Sequence, residues 1–279
     1  MSLFNILNMT GSSLQAQRAG LAVTANNISN AGTDGYHRQS VDYRTVGTEF
    51  TSGLLLGQGV TAADVASAFD RYTEERLLSE HSNSGFAQQL SSAYEVLESM
   101  VAVTGDGSLA GRLSDFLTSI DGLGTTPWET SVRTQVLLDA ESLSTEVRRQ
   151  ADSLDGMLTA ADAAVAAGAT SVNGYFSEIA SLNAQIAALE ASGQSANDLR
   201  DQRGSLIDAV ATQADVVVDE QTDGTVTLFV GGHAVVQGDS ARTLIAEEDP
   251  NTGLQRLMLT DGGVALNITG QINSGEIAA

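Results

Sequence analysis

Leu7, Leu14, Leu21 and Ile28 recur every seven residues near the start of the chain, a spacing that keeps all four on nearly one helix face and that is the period of a coiled-coil seam. The companion line that would complete the seam, Leu3, Thr10, Gln17 and Thr24, is polar after its first member. The N-terminal stretch therefore reads as an amphipathic helix with one narrow apolar stripe. Such a helix buries little area alone, and an isolated helix of this length is marginal in water, so the stripe asks for partners.

Further along, the pattern changes several times. Residues 40–60 alternate loosely and carry glycines at 47, 53, 57 and 59, as in an extended linker or small hairpin. From residue 65 to about residue 101, Phe69, Tyr72, Phe86, Leu90, Ala93, Leu97 and Met100 mostly step by three or four, which predicts a helix bent near Gly85. A turn at Gly105-Asp106-Gly107 with Ser108 as N-cap opens a second helix marked by Leu109, Leu113, Phe116, Leu117 and Ile120. It should stop near Gly122 and Gly124. Thr126-Pro127-Trp128-Glu129 is a helix start signal. Beyond it, Val132, Val136, Leu143, Val147, Leu154, Leu158 and Val165 carry one apolar face, and Val172, Phe176, Ile179, Leu182, Ile186 and Leu189 carry it past Gly168. A helical stretch of up to about 60 residues ended by Gly193 exceeds ordinary globular helices and points to a rod-like bundle. Within it, the small-residue tract at 161–169 reflects the high helix propensity of Ala. Asn197-Asp198-Leu199-Arg200-Asp201-Gln202-Arg203 opens another helix reaching roughly Ala214, with Arg200, Asp201 and Arg203 expected on a solvated face. From Asp215 the period falls to two. Residues 216–218, 225–230, 234–236 and 257–259 read as strands, separated by turns at Thr222-Asp223-Gly224, Gly231-Gly232 and Asn251-Thr252-Gly253.

Composition narrows the function classes. The 279 residues carry 35 acidic and 13 basic side chains, for a formal charge of −22, and every basic residue is Arg. A field of that sign repels phosphate backbones and anionic lipid, so neither nucleic acid nor membrane is expected as a partner. The absence of Cys excludes disulfides and thiolate metal sites. The start Met1-Ser2-Leu3-Phe4-Asn5-Ile6 has no basic n-region and no long apolar core, so it is not a cleavable secretory signal. His37, His81 and His233 are scattered without a second ligand at metal spacing, and no nucleophile elbow, P-loop or dinucleotide fingerprint occurs. No catalytic, cofactor or metal site is expected, and no enzyme. Asp219, Asp223 and Gly224 faintly suggest a cation loop, but Asp-Gly between strands is a hairpin turn.

The run Ala25-Asn26-Asn27-Ile28-Ser29-Asn30, followed by Gly35-Tyr36 and Arg38-Gln39, resembles the N-terminal signature of bacterial flagellar axial proteins, the rod, hook and hook-associated proteins. The plainer reading is a surface helix with an Asn-rich C-cap. Within that family, Asn197-Asp198-Leu199-Arg200-Asp201-Gln202-Arg203 and Gly57-Gln58-Gly59-Val60 resemble segments of the hook-associated branch, as do residues 270–279. Rod and hook proteins turn to mostly β structure soon after the signature, whereas this chain reads as helical from about 65 to 214. The fold class expected is mainly α with a C-terminal β part: an N-terminal coiled-coil-type axial helix with the signature (1–50), a long-helix bundle (51–214) and an incomplete antiparallel β domain (215–279). In that branch a C-terminal helix returns to the N-terminal one, and this chain stops earlier, as a fragment or a natural truncation would.

The resemblance implies a structural component of the flagellum at the hook-to-filament junction, exported through the type III channel to the cell exterior. Its partners would be copies of itself in a ring, the hook protein, a second junction protein and an export chaperone. Leu7, Leu14, Leu21 and Ile28 would form the subunit interface, and Asn26, Asn27, Asn30, Gly35, Tyr36, Arg38 and Gln39 the family signature. His37, a variable position within it, would serve surface packing. A hook or rod subunit, or a non-flagellar secreted coiled coil or adhesin, is the alternative. A peptidoglycan hydrolase would need an acidic pair that the sequence does not display.

Overall fold

The computed structural model describes residues 3–51, 54–101 and 107–279. Helix α1 (Leu3–Ser29) leads into the signature turn and then into two nested hairpins: β1 (Gln39–Thr45) pairs antiparallel with β4 (Val60–Ser67), and β2 (Thr48–Thr51) with β3 (Leu54–Gly57) lies between them. The expected linker is thus a folded arm. α1 packs on the β1–β4 pair through small residues. Ala16 is buried, and a Cβ at Gly20 would collide with the Tyr43 hydroxyl, so the close approach depends on what these positions lack. The Leu7 stripe faces away from this contact.

Four helices follow the arm, broadly as the periodicity predicts. α2 (Arg71–Val101) lies against α5 (Asn197–Gln213), and α3 (Leu109–Thr125) against α4 (Thr130–Ala191). Of the turn expected before α3, Gly105 and Asp106 lie outside the described residues. Ser108 is the N-cap, its hydroxyl accepting from the Gly111 amide at 2.9 Å. Gly85 marks a close crossing: a Cβ there would run into the backbone carbonyl of Thr212 on α5. α4 continues for 62 residues through Gly156, Gly168 and Gly174, and ends beside Gly193 at φ +79°, a conformation that glycine adopts without steric cost.

Two antiparallel sheets complete the molecule. β5 (Val216–Glu220), β6 (Val226–Val230), β7 (His233–Gln237) and β8 (Ser240–Ala241) form one, in that order. β9 (Thr243–Glu248), β10 (Gln255–Asp261) and β11 (Val264–Asn267) form the other, with β10 central. β9 and β11 were not expected. β11 is exposed throughout and β9 buries only Leu244, so neither shows a clean two-residue period. The turn expected at Asp223-Gly224 is present, the Asp223 carboxylate accepting from the Thr225 amide and hydroxyl. The main core joins the second half of α4, the C-terminal half of α5 and both sheets, with Phe176, Ile179, Val210, Leu228, Val236 and Ile268 fully enclosed. The last residues return to the helices: the amides of Gly275, Glu276 and Ile277 donate to the carbonyls of Ser82, Thr212 and Gln213.

Candidate functional site

The signature turn is held by side chains standing in for backbone. The Asn27 side chain bonds both main-chain groups of Gln39: its amide donates to the carbonyl at 2.8 Å and its oxygen accepts the N–H at 2.9 Å. The same oxygen accepts the Tyr36 hydroxyl at 2.9 Å, and Asn26 donates to that hydroxyl at 3.3 Å. Asn30 donates to the carbonyl and side-chain oxygens of Asn26. Asn fits these positions because one planar amide supplies donor and acceptor together. Gly35 has φ +75° and a Cβ there would meet Ser205 on α5. The structure therefore brings Asn26, Asn27, Asn30, Gly35, Tyr36 and Gln39 together in one turn against α5, while the Arg38 side chain is exposed.

The first half of α5 receives that turn. Gln39 donates to Asp198 at 2.8 Å, the His37 amide donates to Asp201 at 3.1 Å, and Asn197 donates to the Val65 carbonyl at 2.6 Å. The His37 ring reaches Asp201 through Nδ1 at 2.8 Å and Glu74 of α2 through Nε2 at 3.1 Å, and stacks edge-on against Phe69. Burial lowers its pKa, but the hydrogen bonds and charges of Asp201 and Glu74 outweigh this and leave it above the ordinary histidine value. His37 is therefore a cross-link between three elements and not merely surface packing. A cleft of about 1100 Å³ opens beside it, between the arm, α2, α5 and β5.

Arg200, Asp201 and Arg203 are not on a solvated face. Arg200 donates twice to Glu190 at the end of α4, at 2.7 and 3.0 Å, and also pairs with Glu220 of β5. Arg203 is 4% exposed and donates to Asn183 and to the Gly224 carbonyl, both at 2.8 Å. Asn183, itself enclosed, donates to the carbonyls of Val226 and Gly238 and accepts the Val226 amide. Burial, with Arg200 as a second charge, lowers Arg203 to about 10, so it stays charged at neutral pH and needs every one of these acceptors. The sequence held a signal for this burial: Arg203 falls four and seven residues before Ile207 and Val210, on the stripe that enters the core. The Asn197-to-Arg203 run is thus a joint, with its amide and acid face toward the arm and its arginines toward α4 and the sheet.

Leu7, Leu14, Leu21 and Ile28 lie between 61% and 73% exposed, separate from this joint. Among the described residues no group of three or more His, Cys, Asp or Glu is arranged to hold a metal ion, and no helix is long and apolar enough to cross a membrane.

This arrangement of arm, helical body and sheets has counterparts among known proteins. Residues 75–279 match the family model described as the flagellar hook-associated protein FlgK helical domain. The chain belongs to the FlgK family. The N-terminal residues 7–37, which contain the stripe and most of the signature, match the flagella basal body rod protein family. Flagellar hook-associated protein 1 of Salmonella typhimurium is 29% identical over 248 residues, 87% of this chain and 44% of that protein. The Bacillus subtilis protein of the same name is 29% identical over 231 residues, 80% and 45%. The chain thus spans less than half the length of these FlgK relatives. The flagellar hook junction protein FlgK from Burkholderia pseudomallei has the same fold, with a TM-score of 0.63 at 19% identity over 73% of this chain and 37% of that one. The family expected from the Asn-rich signature and the helical stretch after it is the one found.

Proposed function

We propose that this chain is a structural component at the junction of flagellar hook and filament, which assembles at the hook tip and allows the filament to grow from it. One observation carries the reading: a rod-protein region at 7–37 and a FlgK helical domain at 75–279 occur in a single chain. The mechanism is packing. Leu7, Leu14, Leu21 and Ile28 stand in solvent on a helix whose other side is taken by the arm. Burying one such side chain contributes roughly 1.5–3 kcal/mol, so the stripe gains its stability when neighbouring subunits cover it. Folding and assembly are then coupled, and α1 remains loose enough for export until it docks.

The partners in this reading are copies of the chain in a ring, the hook protein, a second junction protein and an export chaperone. The location in this reading is extracellular, on the flagellum. The division into an axial segment (1–50), a long-helix body (51–214) and a β part (215–279) follows the same logic, with the first segment lining the tube and the arm strands through Ser67 going with it. Replacing Leu14 and Leu21 together by Asp tests the proposal. The double variant should keep the far-ultraviolet circular dichroism of the helical body, fail to enter purified hooks, and leave cells with hooks but no filaments. Normal filament growth would sink the assignment.

A further inference from the structure

Among the described residues, the joint between arm and body lies outside the main hydrophobic core. The main hydrophobic cluster begins at Leu78 and includes no residue of α1, the signature turn or β1–β4. What holds the arm is polar: Gln39 on Asp198, Asn197 on Val65, Ser195 on Asp64, and His37 on Asp201 and Glu74. Gln39 on Asp198, Ser195 on Asp64 and both bonds of the His37 ring end on carboxylates and are charge-assisted, but only the His37 ring is a donor that can lose its charge near neutral pH. Its geometry also constrains its protonation. Both ring nitrogens face carboxylate oxygens at 2.8 and 3.1 Å. A carboxylate only accepts, and a neutral imidazole has one donor, so both bonds exist together only in the imidazolium.

We propose that His37, Asp201 and Glu74 form a proton-dependent latch that clamps the arm to α2 and α5 when the ring is charged and releases it when the ring is neutral. On deprotonation one ring nitrogen presents a lone pair to a carboxylate, and an attraction becomes a repulsion. The surroundings reinforce this. Asp208 of α5 and Glu75 of α2 add negative charge along the same cleft; its other titratable or charged groups are Asp34, Arg44 and Asp64 of the turn and arm, Arg71 and His81 of α2, and Arg200 and Arg203 of α5 with Glu190 and Glu220, the two carboxylates that pair with Arg200. Since His37 titrates above its ordinary value, the latch is closed below about pH 6.5 and opens as pH rises through the raised value. Tyr36, the other titratable member of the turn, is shifted upward by burial and by Asp198 and Asp201, so it stays neutral over that range.

The chain has no Cys, so spin labels at Ala22→Cys on α1 and Ala184→Cys on α4, both exposed, report the distance between arm and body cleanly. In the full chain one narrow distance distribution is expected at about pH 6, broadening by about pH 9.5 with a midpoint above the ordinary histidine value. Glu74→Gln decides the matter. An amide at that position can donate to a neutral ring, so this variant should hold the narrow distribution at both pH values. His81→Asn should leave the midpoint where it was. A distribution unchanged between the two pH values in the parent chain overturns the latch. So does a broadening that Glu74→Gln leaves intact, since it would belong to another group or to general unfolding.

Discussion

The two halves of α4 share one helix and one apolar period but have different surroundings. In the second half, Val172, Phe176, Ile179, Leu182 and Ile186 are buried among α5 and the two sheets. In the first half, Val132, Val136 and Leu143 of the same stripe are only partly buried and Val147, Leu154 and Leu158 are about half exposed, and α3, which packs on this half, buries no residue of its own. The buried side chain of the first half is Glu146, which is satisfied within the helix by Arg149 at 2.6 and 2.9 Å and by Gln150. A periodic stripe shows that a face is prepared for burial. Whether it is covered depends on what else packs there.

Paired substitutions along α4 would break this contrast if the two halves were in fact equivalent. Phe176→Ala, at a fully enclosed position, should cost about 3–5 kcal/mol, since it removes a ring and leaves a cavity. Leu154→Ala, which is half exposed, should cost under about 1 kcal/mol. Urea unfolding of both variants measures the difference, and similar losses would mean that the first half has a core of its own. Gly85→Ala should destabilise by about 1–3 kcal/mol, because the new methyl meets the Thr212 backbone, which cannot rotate away. A neutral result would show that the α2–α5 crossing is loosely packed. Gly156→Ala should have the opposite sign. Nothing lies within 4 Å of a Cβ at Gly156, so the change should stabilise by up to about 1 kcal/mol through helix propensity alone, visible as a rise in Tm. A loss there would reveal a close neighbour on the open half.

The same contrast explains what could be read from the sequence. The helices, the cap at Ser108, the end at Gly193 and the turns at Gly224 and Gly253 follow from local chemistry; the exception is the start of α2, expected from residue 65, where the chain continues as β4 through Ser67 and the helix begins at Arg71. The signature pointed to the right family, but its reason was hidden. Asn27 matters because it pairs with the backbone of Gln39 twelve residues on, a contact with no periodic trace. On α1 the eye is drawn to Leu14 and Leu21, yet the face that packs on the hairpin uses Ala16 and Gly20, residues that carry no hydrophobic signal. A charged side chain on a helix is usually solvated, and the acceptors that let Arg203 be buried come from Asn183 and Gly224, distant in sequence. The partners of His37 are equally remote, its carboxylates lying 37 and 164 positions away.

At 1.5 Å per residue, the 62 residues of α4 make a strut about 93 Å long. Such a strut fixes rotation as well as distance. Inserting or deleting one residue between its halves would turn one apolar face by about 100° relative to the other, swinging the Val132 side away from Gly122 of α3 while the Phe176 side stayed in the core. A change of seven or eleven residues would leave only about 20° of error, of opposite hand in the two cases. Natural length variation within this helix should therefore come in those steps, with single-residue indels confined to the loops at its ends.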